Sequence, residues 1–586
     1  QTRAFQNGQT RASGKMVKHP WSSTVSVRGG RHTVWSKFPS RMSEVTDLNA
    51  RYRNYWSLHA DFVHDFSTVR HKGFSLPLLI PFHRLIRHPD IEAHMQDPSL
   101  AAKHTRNSIT EDAAVQPFFD RYIKRNVPLK RYKNGKIVLC LTLLRFPHSI
   151  GGCYLSPENT IHVGPGFPSP KDGPNVIGIK SFLVKKDPEW PNIKAKAELL
   201  LARHAAHPVF GHPHFREMLL EYLEIAAGAV NGVTWLFERH KIAAVVVGAT
   251  NEPVGRALAI MAHRRRIPSI ATQHGLIGNE LGFLPVFVSR LAVFGNNEVE
   301  FYTSRGVPAR HIFVTGHPRF DTFFTNPAGD RKAFLAKYGV SPDKKTVLVM
   351  TNQIRDMAAW SAYIGKLAKH PDVAVLIKPH KNEVMKNMLD GYYKLAKAHP
   401  NVKVLAERSI HLKNILPLVD AAVAELSTTG LESIICGTPT LFLRKPSYED
   451  INHKYYYEKM DEFVSTDPDY LAKLTYAVLK QPSVRKSNVA KMKAFLRHAY
   501  PVDLSGEALT RVLSRLTRKI LRRPVARKYE GMLVKGTGPE IYYVRGQVKR
   551  RIPSPKVMVK HKFDPKHVKR IPDAELMQIP PGAVLT

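Results

Sequence analysis

Four short runs place polar or proton-bearing residues directly after an apolar stretch. The first is ATQHGLIGNE, Ala271 to Glu280, where His274 and Gly275 follow the apolar segment. An imidazole at the carboxyl end of a buried strand opens onto the ligand edge of an α/β sheet. Its ordinary pKa lies near neutrality, which suits a general base that takes a proton from an acceptor hydroxyl. The second run is VTGHPRFD, Val314 to Asp321, in which Gly316 ends a strand and His317, Arg319 and Asp321 follow in the turn. These residues either contact a ligand in a cleft or form a tight interdomain turn with Arg319 paired to Asp321. The third, IKPHKNE, supplies one fixed and one titratable cation, Lys378 and His380, as a departing diphosphate or phosphate requires. In the fourth, AELSTTGLESIICGTPTLFL from Ala424, Ser427, Thr428, Thr429 and Gly430 form a small-residue loop that opens a helix. Backbone N–H groups and hydroxyls there point at an anion, reinforced by the helix dipole. Glu432, placed in the first helical turn, could accept hydrogen bonds from ribose hydroxyls. Taken alone, the same residues are an ordinary helix cap.

Other motifs are absent. The triplet Asp467, Pro468, Asp469 precedes LAKLTYAVL and reads as a helix N-cap with an early proline, not a metal-diphosphate site. Three cysteines, Cys140, Cys153 and Cys436, show neither a C-x-x-C pair nor a Cys/His metal spacing. No P-loop or G-x-G-x-x-G stands between a strand and a helix. We therefore expect no metal and no bound cofactor.

The elements that must position these runs alternate. KIVLCLTLL gives a short strand, Ile137 to Leu144, apolar on both faces, and FREMLLEYLEIAAGAVNGVTWLFERH a long helix ahead of the strand KIAAVVVGAT. A helix near 253–265, PSIATQ, RLAVFG, a helix near 297–305 and HIFVTG follow. The pattern restarts with KTVLVMT, VAVLIKPH, NVKVLAE, DAAVAEL and PTLFL, with helices between them. Apolar strands alternating with helices predict parallel, doubly wound sheets. The expectation is an α/β chain with two Rossmann-like domains facing a cleft. Its parts are a basic, weakly ordered arm (1–53), a helical extension (54–134), a first Rossmann-like domain (135–334), a second (335–485), helices (486–525) and a basic β-rich module (526–586). In that module IYYV and QVKRRI read as a hairpin about Arg545 and Gly546.

The 586 residues carry a formal charge of +40, and 43% are hydrophobic, which excludes wholesale disorder. Residues 1–53 hold ten Lys/Arg against Glu44 and Asp47, and residues 514–570 hold eighteen against Glu530, Glu540 and Asp564. Such ends fit nucleic acid, an anionic membrane or an acidic polymer. Without an RNP signature, zinc finger or helix-turn-helix, nucleic acid is disfavoured. No apolar run reaches bilayer length and no signal peptide is visible, and three cysteines without a disulfide framework lead us to expect a reducing, cytoplasmic setting.

With ATQHG, VTGHPRFD, IKPH and STTGLESIICGTP in hand, the stretch from about 135 to 520 resembles the GT-B type glycosyltransferases that build bacterial capsular and surface polysaccharides. It is also similar to CDP-glycerol glycerophosphotransferases, in which a His-Gly pair, a G-x-P-R-x-D turn and a Ser-rich loop recur, and to nucleotide-sugar 2-epimerases. Leu276-Ile277-Gly278 and the glutamate of STTGLE depart from the glycerophosphotransferase pattern and favour a sugar donor. The resemblance implies an acceptor on the first Rossmann-like domain and a nucleotide sugar on the second. His274 would then be the base or an acceptor contact, with Lys378 and His380 at the leaving group. Ser427, Thr428, Thr429 and Gly430 would hold donor phosphate, with Glu432 on ribose. The expected activity is metal-independent transfer to a surface glycan or lipid-linked acceptor, peripheral on the inner face of the cell membrane. The alternatives are a polyol-phosphate transferase, a 2-epimerase, and a non-catalytic basic protein that binds polymer or nucleic acid.

Overall fold

The computed structural model describes residues 47–586 apart from 133, 147–154, 156–158, 165–175, 179–181, 183–186, 279, 326–328, 353–355, 408–409, 446–454, 503, 518–523, 546–547, 580, 583 and 586. The expected basic arm lies outside the described residues as far as position 46, and its end belongs to the helix Asp47–Asp65.

The helical extension also contains a small hairpin, β1 (Arg70–His71) and β2 (Phe74–Ser75). Its first helix buries Tyr55, Trp56 and Phe62 against Phe82, Phe119 and Phe215, so the extension is built into the core of the domain that follows.

That domain carries seven parallel strands: β3 (Lys136–Cys140), β4 (Thr160–Gly164), β5 (Val176–Gly178), β6 (Ile242–Val247), β7 (Ser269–Thr272), β8 (Arg290–Val293) and β9 (Ile312–Val314). Their order is β5-β4-β3-β6-β7-β8-β9, so the winding reverses between β3 and β6. Every residue of β6, IAAVVV, is buried, as a strand covered on both faces must be. The helices Pro213–Arg239 and Pro253–Arg264 cover one face and start on proline at an early position, where its missing N–H costs nothing.

The second domain carries six parallel strands: β10 (Lys345–Met350), β11 (Val373–Lys378), β12 (Val402–Val404), β13 (Ala421–Ala424), β14 (Thr440–Leu443) and β15 (Val464–Ser465). Their order, β12-β11-β10-β13-β14-β15, reverses between β10 and β13. Asp467 caps the following helix through the N–H groups of Asp469 and Tyr470, as the triplet suggested.

Beyond the second domain, the helix Pro482–Ala499 leads back, and the helix Ser505–Thr517 lies on the first sheet. Its Leu509, Val512, Leu513 and Leu516 pack on Ile137, Leu139, Ala244, Val246 and Ile270. A last small sheet, β16 (Leu533–Lys535), β17 (Ile541–Arg545), β18 (Val548–Ile552) and β19 (Val568–Arg570), has the order β18-β17-β16-β19. Its β17 and β18 pair antiparallel, as the hairpin reading required.

The run read as one strand through Leu144 stops at Cys140. The backbone then turns, with Leu143 and Arg145 at φ 56 and 51, and packs on Gly248, where an added Cβ would come 2.2 Å from the Leu144 nitrogen. A side chain at 248 would displace this loop.

Candidate active site

His274, past the end of β7, stands with Arg145, past β3, and Arg319, past β9, and the charges of these two arginines reach Glu432 of the second domain. His274 follows β7 by two residues. Its neighbour Gln273 is buried and fixed, donating to Glu298 Oε1 at 2.9 Å and accepting from the Phe294 N–H at 2.9 Å. The half-buried His274 ring stacks on Phe283, with centroids 4.9 Å apart and planes at 6°. Burial, then the guanidiniums of Arg145 and Arg319, push its pKa down to about 4, against a smaller upward effect from a hydrogen bond to the Gly248 backbone. The ring is therefore neutral at pH 7 and keeps a lone pair on one nitrogen.

The two arginines are tied to the same carbonyl, that of His274: Arg145 Nη1 donates to it at 3.0 Å and Arg319 Nη1 at 3.4 Å. Both face Glu432 of the second domain, whose carboxyl is pushed up by burial and drawn back by Arg319 and Arg145. Arg319 lies 4.4 Å over the Phe320 ring, and burial lowers its pKa to about 10. Its Nε and Nη2 are buried and donate to nothing on the protein.

His317 is fully buried. Its Nε2 meets the Leu144 carbonyl at 3.1 Å and its Nδ1 accepts the Arg319 N–H at 3.1 Å, so both ring nitrogens hold the turn together. Asp321 does not pair with Arg319. Its carboxylate accepts the N–H groups of Ser505 and Gly506, both at 2.8 Å, and so caps the helix that returns to the first sheet. Gly316 has φ 63, and a Cβ there would come 2.2 Å from Ser505 Oγ and 2.5 Å from the Tyr500 hydroxyl. Gly275 follows His274 with open space about its Cα. Of the VTGHPRFD turn, then, Arg319 reaches the cleft, while Gly316, His317 and Asp321 fasten the point where the chain crosses between domains.

On the second domain, Lys378 Nζ donates to the carbonyls of Leu405 and Glu407, at 3.2 and 2.8 Å, which ties it to the loop after β12. His380 caps the short helix after β11, accepting the Asn382 N–H at Nδ1. Burial pushes its pKa down and Glu383 pulls it up; Arg145 across the cleft also acts on it.

Ser427 is the N-cap of the helix Thr428–Cys436, and its carbonyl takes the Gly430 N–H at 3.2 Å and the Tyr457 hydroxyl at 2.5 Å. Thr428 opens the helix, and the Thr429 hydroxyl is buried without a partner on the protein. Because the helix begins at Thr428, Glu432 sits in its second turn, not its first.

Arg145 is the residue the sequence reading missed. Reading the strand through Leu144 hid the loop, yet the rule that selected His274, a polar residue just past a doubly buried strand, selects Arg145 once the strand ends at Cys140. Together the cleft offers two guanidiniums, a neutral imidazole, a carboxylate and the amino end of a nine-residue helix.

No protein-family model matches the chain, and no curated protein matches it in sequence. Solved structures do match in shape. A UDP-N-acetylglucosamine 2-epimerase is 15% identical, over 66% of this chain and 95% of its own, with a TM-score of 0.42. The wall teichoic acid polymerase TagF is 13% identical, over 70% and 93%, at 0.40. The Anabaena protein HepE, in complex with UDP and glucose, is 13% identical, over 65% and 100%, at 0.39. The fold therefore stands on the chain's own two parallel, doubly wound sheets.

Proposed function

We propose that the cleft binds a nucleotide-activated sugar and transfers the glycosyl group to a hydroxyl of a surface glycan or lipid-linked acceptor. One observation carries this reading: two buried N–H donors of Arg319 have no acceptor on the protein, beside Arg145 and opposite the amino end of the helix Thr428–Cys436. Buried donors are rarely left unmade, and a planar guanidinium matches the oxygens of a phosphate.

In the transfer, the acceptor oxygen bonds to the anomeric carbon and the bond from that carbon to the diphosphate breaks. The electron pair leaves on the diphosphate, whose charge the two arginines and the helix terminus meet. The hydroxyl proton passes to the free nitrogen of His274. Glu432 accepts ribose hydroxyls, and His380 serves the leaving group, in this reading.

The basic module supports contact with an anionic surface, since Lys560, Lys562, Lys566, Lys569 and Arg570 all stand exposed on it. We place the enzyme on that ground at the cytoplasmic face of a membrane.

Thermal stabilisation by UDP-, GDP-, CMP- and CDP-linked compounds tests the reading, because a native-state binder raises apparent stability by mass action. A sugar nucleotide that stabilises wild type and not Arg319→Ala is the expected result. Stabilisation by CDP-glycerol alone would move the reading to a polyol-phosphate transferase, and turnover without acceptor to a 2-epimerase. No binding by any nucleotide sinks it and leaves a basic binding protein.

A further inference from the structure

A second group of unmet polar atoms lies on the first domain, at the place where the sheet reverses. The loop after β6 runs from Gly248 to Glu252, which caps the helix Pro253–Arg264. Glu252 is 8% exposed; its Oε1 lies 3.3 Å from Arg84 Nη2 and its Oε2 has no partner. Asn251 Oδ1, Arg84 Nε and His83 Nδ1 are likewise buried and unmet. The loop leaves the carboxyl end of β6, which pairs with β3 where the winding reverses, and this puts the cluster at the reversal. Ligands of open α/β sheets bind at such a point.

The cluster is held rigidly. Arg256, fully buried, donates through Nε to the Thr250 carbonyl at 2.8 Å and through Nη1 to the carbonyls of Leu78 and Ile80, at 3.3 and 2.6 Å. The loop is thereby tied to the extension segment that carries His83 and Arg84. Asn251 and His83 are half-buried, so the group reaches the surface through them.

Its polarity narrows the ligand. Two of the unmet atoms accept only, Asn251 Oδ1 and Glu252 Oε2, and Arg84 Nε donates only. A phosphate would meet the Glu252 carboxylate, and a cation the Arg84 guanidinium. A hydroxyl both donates and accepts, so neighbouring hydroxyls on a ring could satisfy both sides at once. We propose that Glu252 and Asn251, facing Arg84 and His83 of the helical extension, bind a neutral, hydroxyl-rich group, a sugar ring of the acceptor glycan. The assignment to the acceptor rests on the transferase reading above; the sugar site itself does not. It gives the helical extension a part in choosing the acceptor.

Saturation-transfer NMR on the full chain tests this with methyl β-glucoside, methyl β-galactoside, methyl α-mannoside and methyl N-acetyl-β-glucosaminide, with UDP, CDP and GDP titrated in parallel. At least one glycoside is expected to bind wild type saturably, and at least tenfold more weakly in Asn251→Ala and Glu252→Gln, with nucleotide affinity unchanged. Circular dichroism verifies folding, and Asn251→Ala, at a half-buried position, keeps the test open if Glu252→Gln misfolds. No glycoside binding to wild type, the outcome if water alone fills the cluster, overturns the proposal, as does equal binding to both variants. Nucleotide binding without glycoside binding removes this site and spares the transferase reading. Glycoside binding without nucleotide binding keeps the site and removes that reading.

Discussion

Arg319 brings donors into the cleft that no protein group meets, and its geometry matters as much as its charge. Lysine keeps the charge and loses the fork. Arg319→Lys should weaken nucleotide binding about 10- to 100-fold, the range for losing a charge-assisted hydrogen bond, as calorimetry would read. An unchanged affinity would place the phosphates elsewhere. His274 makes a separate prediction about pH. In the free protein burial and two guanidiniums hold its pKa near 4, which leaves it neutral but a weak base. A bound diphosphate offsets those guanidiniums and raises that pKa towards the ordinary value. The acid limb of kcat, which reports the complex, should therefore lie at higher pH than that of kcat/KM, which reports the free enzyme. Coincident limbs would remove His274 as the base. His274 was legible in the sequence because its position after a strand settles where it opens. Lys378 ends its strand, yet its ammonium is committed to carbonyls of Leu405 and Glu407, which no spacing rule connects to it.

At the scale of elements, the segment around Gly316 and the one around Ser505 form a single fastening where the chain passes between domains. The Tyr500 hydroxyl accepts the His317 N–H at 2.9 Å and meets Ser505 Oγ at 2.6 Å. Gly316→Ala should cost about 2–4 kcal/mol in urea unfolding, from overpacking together with a strained positive φ. A loss under 1 kcal/mol would mean that the fastening yields. Asp321 links this point to pH. Burial raises its carboxyl from the ordinary 3.8 to about 7, against the pull of the Gly506 and Ser505 N–H groups. The native state thus holds this proton more tightly than the unfolded chain. That contribution is complete below about pH 4 and is lost as pH rises through 7. Wild type should lose stability over this window, and Asp321→Asn should lose less; parallel slopes in pH-dependent unfolding would refute this. Most strands of both sheets were legible because doubly buried runs such as IAAVVV have no other use, whereas β4 and β5, in a Pro/Gly-rich passage, and the two-residue β15 were not. The turn residues were not, since VTGHPRFD reads equally well as a ligand loop or a hinge, and only its long-range partners at 500–506 separate the two.

For the whole molecule, the charge that concentrates at the ends is separate in sequence from the cleft residues. If the module holds an anionic surface, 0.5 M salt should release the protein from phosphatidylserine vesicles, since exposed charges are screened within a few ångströms there. Nucleotide stabilisation, which depends on the buried Arg319, should persist; loss of both together would contradict the division. The other feature at this scale is the helix Ser505–Thr517 on the first sheet. Its four large apolar side chains bury about 1.5–3 kcal/mol each, comparable in sum with the whole net stability of a domain, about 5–15 kcal/mol. A chain ended before Ser505 should keep the second domain folded and leave the first prone to aggregate, as limited proteolysis would show. The order of events on the ribosome follows. The amino-terminal half emerges first yet must wait, its sheet uncovered, until more than five hundred residues have been made. The domain that starts later closes sooner, and this stretch of translation is when the chain most needs a chaperone.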